Sequence, residues 1–366
     1  MKLTEHTYVP ALRWRQGEYQ ALWKLATAVK EKVVPLVTIP PVEFDFELHQ
    51  PKKSVHEHVF PFVVRYQKKW GTYPAWIALD PEISAGCMNS GQHVLDYIFD
   101  GLRPSGALAI PALPLTADSA SLNAASRATA LDGRGGAVLL RLEDLMTGNP
   151  RKAVVNFAAA LGINLDELDV IIDLRAPNFE PYAAFANALI AALKRLGNLN
   201  EVRNLVLIGT AIPSSFSQIA KGTDEFPRHD WLFFRTLVGM LPSGMRHLNY
   251  GDHTVVHPEF TAQDMRMVRP SGKIIYTAPT IYATRKGGVF RGNEAQMLGH
   301  CSAITKEPRF VFRGGSFSLG DDYIADCANA KVGTGNQTTW KWVAINHHIT
   351  TVVDDLAKMH ATPSPP

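Results

Sequence analysis

LDVIIDLRAPNFEPYAAFANALIAALKRLGNLNEVRNLVLIG, residues 168–209, decides the fold. Two β-rich apolar runs, 168–174 and 202–209, flank a stretch, 182–196, in which apolar residues recur at three-to-four spacing. A strand, an amphipathic helix and a second strand in that order pair the strands in parallel, with the helix covering one face. Outward from this unit the rhythm repeats, with runs at 8–12, 33–39, 75–79, 107–113 and 137–142 and a weaker one at 247–250. Helix-capable segments lie between them at 18–29, 91–99 and 149–161. Eight such units predict an α/β fold, a (β/α)8 TIM-barrel-like domain over residues 1–292, because closing the sheet removes its exposed edges. An open doubly wound sheet shares this periodicity and is the alternative.

Beyond the eighth run the pattern changes. Residues 274–284 predict a broken strand or hairpin, and 285–292 a glycine-rich basic turn. Segments 294–305, 320–328 and 338–358 predict helices, so that 293–366 forms a helical extension packed on the barrel. Hydrophobic residues at 46% and charged residues at 19% are ordinary globular usage and exclude a mainly disordered chain. A formal charge of +3 permits a nucleic-acid partner without demanding one, although 221–320 is locally basic, with Lys273 and Arg285 among its cations. Cys87, Cys301 and Cys327 lack any paired spacing and predict buried thiols in a reducing compartment. No leader pattern and no long apolar run occurs, so a cytoplasmic protein without membrane association is expected. Zinc-protease, nucleophile-elbow, dinucleotide and Walker motifs are all missing.

In parallel α/β folds the binding loops follow the carboxyl ends of the strands. Polar residues there are Arg13, Arg15 and Glu18, then Asp80 and Glu82, then Arg141, Glu143 and Asp144, then Asp173 and Arg175, Thr210, and finally Asp252 and His253. Arginines among them can clamp a phosphate or carboxylate, and the carboxylates Asp80, Glu143, Asp173 and Asp252 can hold Mg or Mn. Ion pairs and helix caps around the barrel mouth are the structural alternative. Arg13 and Arg15 leave the first strand on one face before Gly17 and Glu18 open a helix, which makes either an anion cradle or an outward strand end.

Residues 332–348 place a glycine-rich turn before a helix, suited to an anion or to a loop capped by Thr338 or Thr339. His347 and His348 point ~100° apart on a helix and cannot chelate one metal together. Each is a catalytic or ligand-binding candidate, with Asp321 and Asp322 upstream, or else makes a hydrogen bond between helices. Trp340 and Trp342 either pack a core or stack on a ligand.

YVPALRWRQGEYQALWKL (8–25), VVPLVTIPP (33–41), LNYGDHTVVHP (248–258), IIYTAPTIYATRKG (274–287), GDDYIADCA (320–328) and TTWKWVAINHHIT (338–350) together resemble the beta protein family, named for a bacteriophage protein. The positions that match its pattern are Arg13, Arg15, Gly17, Glu18, Gly251, Asp252, Tyr276, Arg285, Gly287, Gly320, Asp322, Trp340, Asn346, His347 and His348. RKGG stands where the family pattern has a tighter Arg-Gly. The resemblance implies a part in phage–host conflict and no particular reaction. Two expectations follow. One is an antiphage recognition protein that binds a phosphate-bearing or phage-derived partner, nucleic acid included, through Arg13, Arg15, Glu18, Arg141, Asp173, Arg285, Asp322 and Trp340. The other is a phosphoester hydrolase with Mg or Mn on Asp80, Glu143, Asp173 and Asp252, acting on nucleotide or nucleic acid, with His347 or His348 as general acid or base and Asp252 beside them.

Overall fold

The apolar runs become eight parallel strands: Val9–Arg13, Leu36–Ile39, Ala75–Leu79, Ala109–Pro114, Gly136–Arg141, Leu168–Asp173, Asn204–Gly209 and Asn249–Asp252. The structure, a computed structural model, describes residues 1–259 and 269–361. The strands pair in chain order, and the eighth closes the ring on the first, Val9 opposite Gly251 and Pro10 opposite Asp252. Side chains alternate as a pleated strand requires. Val9, Leu36, Trp76, Ile110, Ala137, Ile171, Val206 and Ile208 fill the inside of the ring, while Leu12, Val37, Ile77, Val138, Ile172 and Leu207 pack outward.

The amino-end floor of the barrel is a sealed polar plug. Asp169 points inward from the sixth strand and is fully buried, so its charge has to be paired. Arg203 grips it through Nε at 2.8 Å and Nη2 at 2.6 Å, Asn204 Nδ2 donates at 2.6 Å and Trp76 Nε1 at 2.7 Å. Asn204 also holds the chain start across this floor, accepting from Leu3 N at 2.8 Å and donating to Met1 O at 2.9 Å. Open space therefore lies at the carboxyl ends of the strands.

Helices fit where the spacing predicted them, including Gln16–Trp23, Pro150–Leu161 and Tyr182–Lys194. The long helix Gln337–Ala361 completes the ring of helices. It packs beside Gln16–Trp23, its first two turns lie at the barrel mouth, and its last turn places His360 against His6 and His247, which precede the first and eighth strands. It thus runs antiparallel to the strands between the last and the first, as the helix after an eighth strand should. Ile345, Ile349, Val352 and Leu356 bury its inner face in the main core.

Residues 253–336 are consequently one long excursion between the eighth strand and its helix. Within it Ser271–Thr277 and Ile281–Val289 form an antiparallel hairpin, closed by Ala278 N donating to Ile281 O at 2.9 Å. A third strand, Gly222–Pro227 from the seventh loop, joins the hairpin's edge. The expected basic turn at 285–292 is corrected here: Arg285, Lys286 and Gly287 lie within the second hairpin strand, because Gly222–Pro227 supplies a partner that local sequence did not reveal. Helices Gln296–Lys306 and Leu319–Ala328 back this sheet around Ile274, Tyr276, Met297, Cys301 and Cys327. That second cluster draws on residues before and after 292. Gly320 permits the close approach of Leu319–Ala328 to the long helix, since a Cβ there would sit 2.4 Å from Val343 O. Of the three cysteines expected to be buried, Cys301 and Cys327 are, inside the second cluster, whereas Cys87 is exposed. Among the described residues no helix is long and apolar enough to cross a membrane.

Candidate functional site at the barrel mouth

A cleft of about 440 Å³ opens where the ring of strands meets the three-stranded sheet. Four parts of the chain build it. The first strand ends in Arg13 and Arg15, the seventh loop brings Phe216, the eighth loop and the hairpin bring His257, Glu259, Lys273 and Phe290, and the long helix brings Gln337, Trp340 and Lys341. The volume is in the range of small-ligand sites, with apolar walls and a few polar groups. Among the described residues its lining holds four lysines and arginines against one carboxylate, Glu259.

Local chemistry explains how these groups are held. Glu18, in the first turn of its helix and almost wholly buried, accepts from Arg13 N at 2.5 Å and pairs with Lys341 Nζ at 3.0 Å. One buried carboxylate thus ties the first strand to the long helix and sets Lys341 at the cleft. The Arg13 guanidinium also donates to Pro258 O. Asn336 opens the long helix, its side chain accepting from Thr339 N at 3.0 Å while Thr339 Oγ1 accepts from Asn336 N at 3.2 Å. Asn336, one position before the helix, takes the capping role expected of Thr338 or Thr339. The start of the helix that follows the glycine-rich turn and the Arg13–Arg15 strand end, which belong to two separate anion candidates in the sequence, meet at the same cleft, while residues 332–336 do not line it. The positive end of the helix dipole faces the same way.

Lys273 is the exceptional cation. Its Nζ lies 3.7 Å from the centre of the Phe216 ring, and among the described residues no carboxylate pairs with it. Burial, reinforced by the Lys286 charge beside it, pulls its pKa down to about 8. Lys286 is itself fixed by Phe216 O at 2.7 Å and Ile219 O at 2.6 Å. Burial likewise lowers the His257 imidazole below its ordinary range.

Most expected rim residues are occupied elsewhere. Arg141 Nη1 donates to Asp173 Oδ2 at 2.7 Å, and His253 Nε2 lies 2.9 Å from Asp173 Oδ1. Burial opposes the ionisation of Asp173, but His253 and Arg141 outweigh it and hold the carboxyl well below its usual range. Asp80 caps the turn Pro81–Ile83 through Glu82 N at 3.2 Å, and Glu143 is exposed on its helix. Asp252 is buried. The carboxylate set expected for Mg or Mn is therefore not assembled, and among the described residues no three His, Cys, Asp or Glu side chains group to hold a metal. Arg285 also lies outside the cleft, bound to Thr223 Oγ1 at 2.7 Å with Glu307 at 3.6 Å, and Asp322 is exposed on its own helix.

His347, His348 and Asp252 are all fully buried and form the joint between the barrel and the excursion. His348 Nε2 sits 3.0 Å from Asp252 Oδ2 and its Nδ1 2.8 Å from Thr277 Oγ1. Asp252 also accepts from the Tyr8 hydroxyl, from Tyr250 at 2.9 Å and from Thr254 N at 2.7 Å. His347 Nδ1 sits 2.8 Å from Asp321 Oδ2, its Nε2 2.9 Å from Thr277 O, and its ring stacks on Tyr276 at 3.8 Å. Burial works against ionisation of both aspartates, yet the adjacent imidazoles and donors keep their pKa values below the ordinary range. The two histidines do what adjacent helix positions allow, each serving a different aspartate. Neither lines the cleft, so the structure places them away from a ligand there.

The order of these elements agrees with a comparison of sequences. The Beta protein family model matches residues 8–354, which takes in the barrel, the excursion and most of the long helix. The chain belongs to the Beta protein family. No curated protein matches it in sequence. Among solved structures it is similar to triosephosphate isomerase from Bartonella henselae, at 11% identity and a TM-score of 0.35, over 68% of this chain and 91% of that one. The closed ring of eight parallel strands sheathed in helices is itself of TIM-barrel type. Sequence reading found Arg13, Arg15, Glu18 and Trp340 at the mouth of this family member. It missed His257, Glu259 and Lys341 and took Lys273 only as one cation of a basic segment, because the eighth loop, hairpin and long helix that deliver them lie 240 or more residues from the first strand.

Proposed function

We propose that this Beta-family chain is a recognition protein whose barrel-mouth cleft takes a phosphate-bearing ligand. The observation that carries this reading is the meeting of Arg13, Arg15, Lys273 and Lys341 with the start of the long helix around one cleft in which, among the described residues, Glu259 is the single lining carboxylate. Guanidinium forks suit phosphate oxygens, and Trp340, Phe216 and Phe290 add apolar and aromatic surface beside them, a pairing that fits a nucleotide or a stretch of single-stranded nucleic acid. A cytoplasmic setting belongs to the same proposal and is supported by Cys301 and Cys327, both buried and both free. The wider role, recognition of a phage-derived partner in phage–host conflict, is carried by the family resemblance.

The test is titration with pyrophosphate, adenosine monophosphate and a short single-stranded oligonucleotide at several salt concentrations. Saturable binding that weakens with salt and falls at least tenfold in Arg15→Ala supports the reading. Binding that Arg15→Ala and Lys273→Met leave unchanged places the ligand elsewhere and defeats it.

A further inference from the structure

We propose that Lys273 is a reactive amine, which forms a Schiff base with an aldehyde or ketone ligand whose anionic group sits against Arg13 and Arg15. The inference deepens the cleft reading above, on which it rests, by naming a chemistry for one of its walls.

An amine attacks a carbonyl only as the free base, so an ordinary lysine at neutral pH is almost wholly unreactive. Two arrangements free it: desolvation in an apolar pocket, and a second cation held close by. Lys273 has both. Its ammonium lies over the Phe216 ring, and Lys286 on the adjacent hairpin strand is pinned beside it by the carbonyls of Phe216 and Ile219, so that charge cannot swing away. These two effects bring its pKa to about 8, a range in which an appreciable fraction is uncharged at neutral pH. The other charged groups lining the same cleft are Arg13 and Arg15 from the first strand, His257 and Glu259 from the eighth loop, and Lys341 from the long helix. Glu259 is the one carboxylate among them, and no ion pair joins it to Lys273 among the described residues.

Lys30 and Lys69 also have lowered pKa values, but neither lines the barrel-mouth cleft. A cation–π contact to an exposed Trp23 explains the place of Lys69. Lys273 combines a lowered amine with a small-ligand cavity that Arg13 and Arg15 also line.

The step balances without any further reagent. The neutral Lys273 nitrogen attacks the carbonyl carbon and a C–N bond forms, while a proton passes from nitrogen to the former carbonyl oxygen to give a carbinolamine. A proton from solvent then lets that oxygen leave as water, and the nitrogen lone pair closes the C=N bond to give the protonated imine. No oxidant or reductant is consumed. Addition of cyanoborohydride then delivers hydride to the imine carbon and fixes the adduct as a secondary amine.

The full chain is treated with low concentrations of pyridoxal 5′-phosphate and cyanoborohydride from pH 6 to 10, and labelled peptides are mapped by mass spectrometry. The proposal expects Lys273 to be labelled first, with a rate that rises through a midpoint near 8. Lys286→Met should raise that midpoint, and Lys273→Arg should abolish the dominant label. The phosphate-free aldehyde pyridoxal should label Lys273 at least tenfold more slowly. Label spread evenly over Lys24, Lys69 and Lys273, or a midpoint at Lys273 in the ordinary lysine range, overturns the reactive amine, and the wild-type profile decides this even if a variant fails to fold. Equal rates with and without phosphate overturn the anionic half of the proposal. Phosphate ligands that bind the cleft while Lys273 stays inert leave the recognition function standing and remove only the Schiff base.

Discussion

Replacing His348 by Ala is the sharpest perturbation of the joint between barrel and excursion. The imidazole is wholly buried, spans Asp252 at 3.0 Å and Thr277 Oγ1 at 2.8 Å, and leaves both without that partner when removed. Taking away a partner from a buried, hydrogen-bonded carboxylate costs up to ~3–5 kcal/mol, because the remaining charge has lost part of its compensation. Asp252 keeps its bonds from Tyr8, Tyr250 and Thr254 N, and it can take up a proton, which places the expected cost at the lower end, ~3 kcal/mol. With ~2.1 cal/mol/K of unfolding entropy per residue over 366 residues, that loss lowers Tm by ~4 °C if the chain unfolds as one unit. Urea titration followed by circular dichroism, with calorimetry for Tm, measures it. The double variant Asp252→Asn with His348→Ala should cost clearly less than the two single changes added together, as coupled groups do. A His348→Ala protein within ~0.5 kcal/mol of the parent, the range of an unremarkable surface change, would refute the assignment of this pair to a structural joint.

Three further outcomes follow from the same physics. Asp169→Ala strips the plug from Arg203, Asn204 and Trp76 and should cost ~3–5 kcal/mol in urea unfolding, while phosphate-ligand affinity at the opposite end of the barrel stays within twofold; a fully stable variant contradicts the plug. Asp173, Asp252 and Asp321 all have folded pKa values below the ordinary 3.8, so the stability they contribute is present above that pH and is lost as pH falls below it; urea midpoints that stay flat through this window contradict the pairing. Tyr8, Tyr250 and Tyr282 are held un-ionised by burial and by neighbouring aspartates, so their contribution is present below pH 10 and lost as pH rises beyond it. Ultraviolet titration should show these three phenols ionising only as the protein unfolds, and their ionisation with the exposed tyrosines before unfolding would count against that burial.

Most barrel strands were legible because they are largely apolar runs packed on both faces, a pattern that survives without knowledge of neighbours, whereas the eighth, NYGD, read only weakly because half of it is polar. Gly222–Pro227 was not, since its sequence GTDEFP is polar and glycine-bearing and its residues are only half-buried or exposed. Without that strand, Arg285 and its neighbours had no visible partner and read as a turn. The helix 337–361 was legible as a helix, but its place between the eighth and first strands depends on contacts of Ile345, Ile349 and Leu356 with the core, which spacing does not specify. At the site, Arg13 and Arg15 stood out because paired arginines at a strand end are locally unusual. Glu18 was legible as a helix opener only, since its partner Lys341 comes from the far end of the chain. His347 and His348 looked like chemistry because buried histidine–aspartate pairs and catalytic ones use the same residue types; burial alone separates them.

Calorimetric titration of adenosine monophosphate into the wild-type chain and into Arg15→Ala, at two salt concentrations, tests the barrel-mouth cleft as a phosphate-binding site most directly. The cleft geometry predicts one saturable site in the wild type, weakened by salt and at least tenfold weaker in the variant. Equal affinity in the two proteins, or heats that never saturate in either, would contradict it.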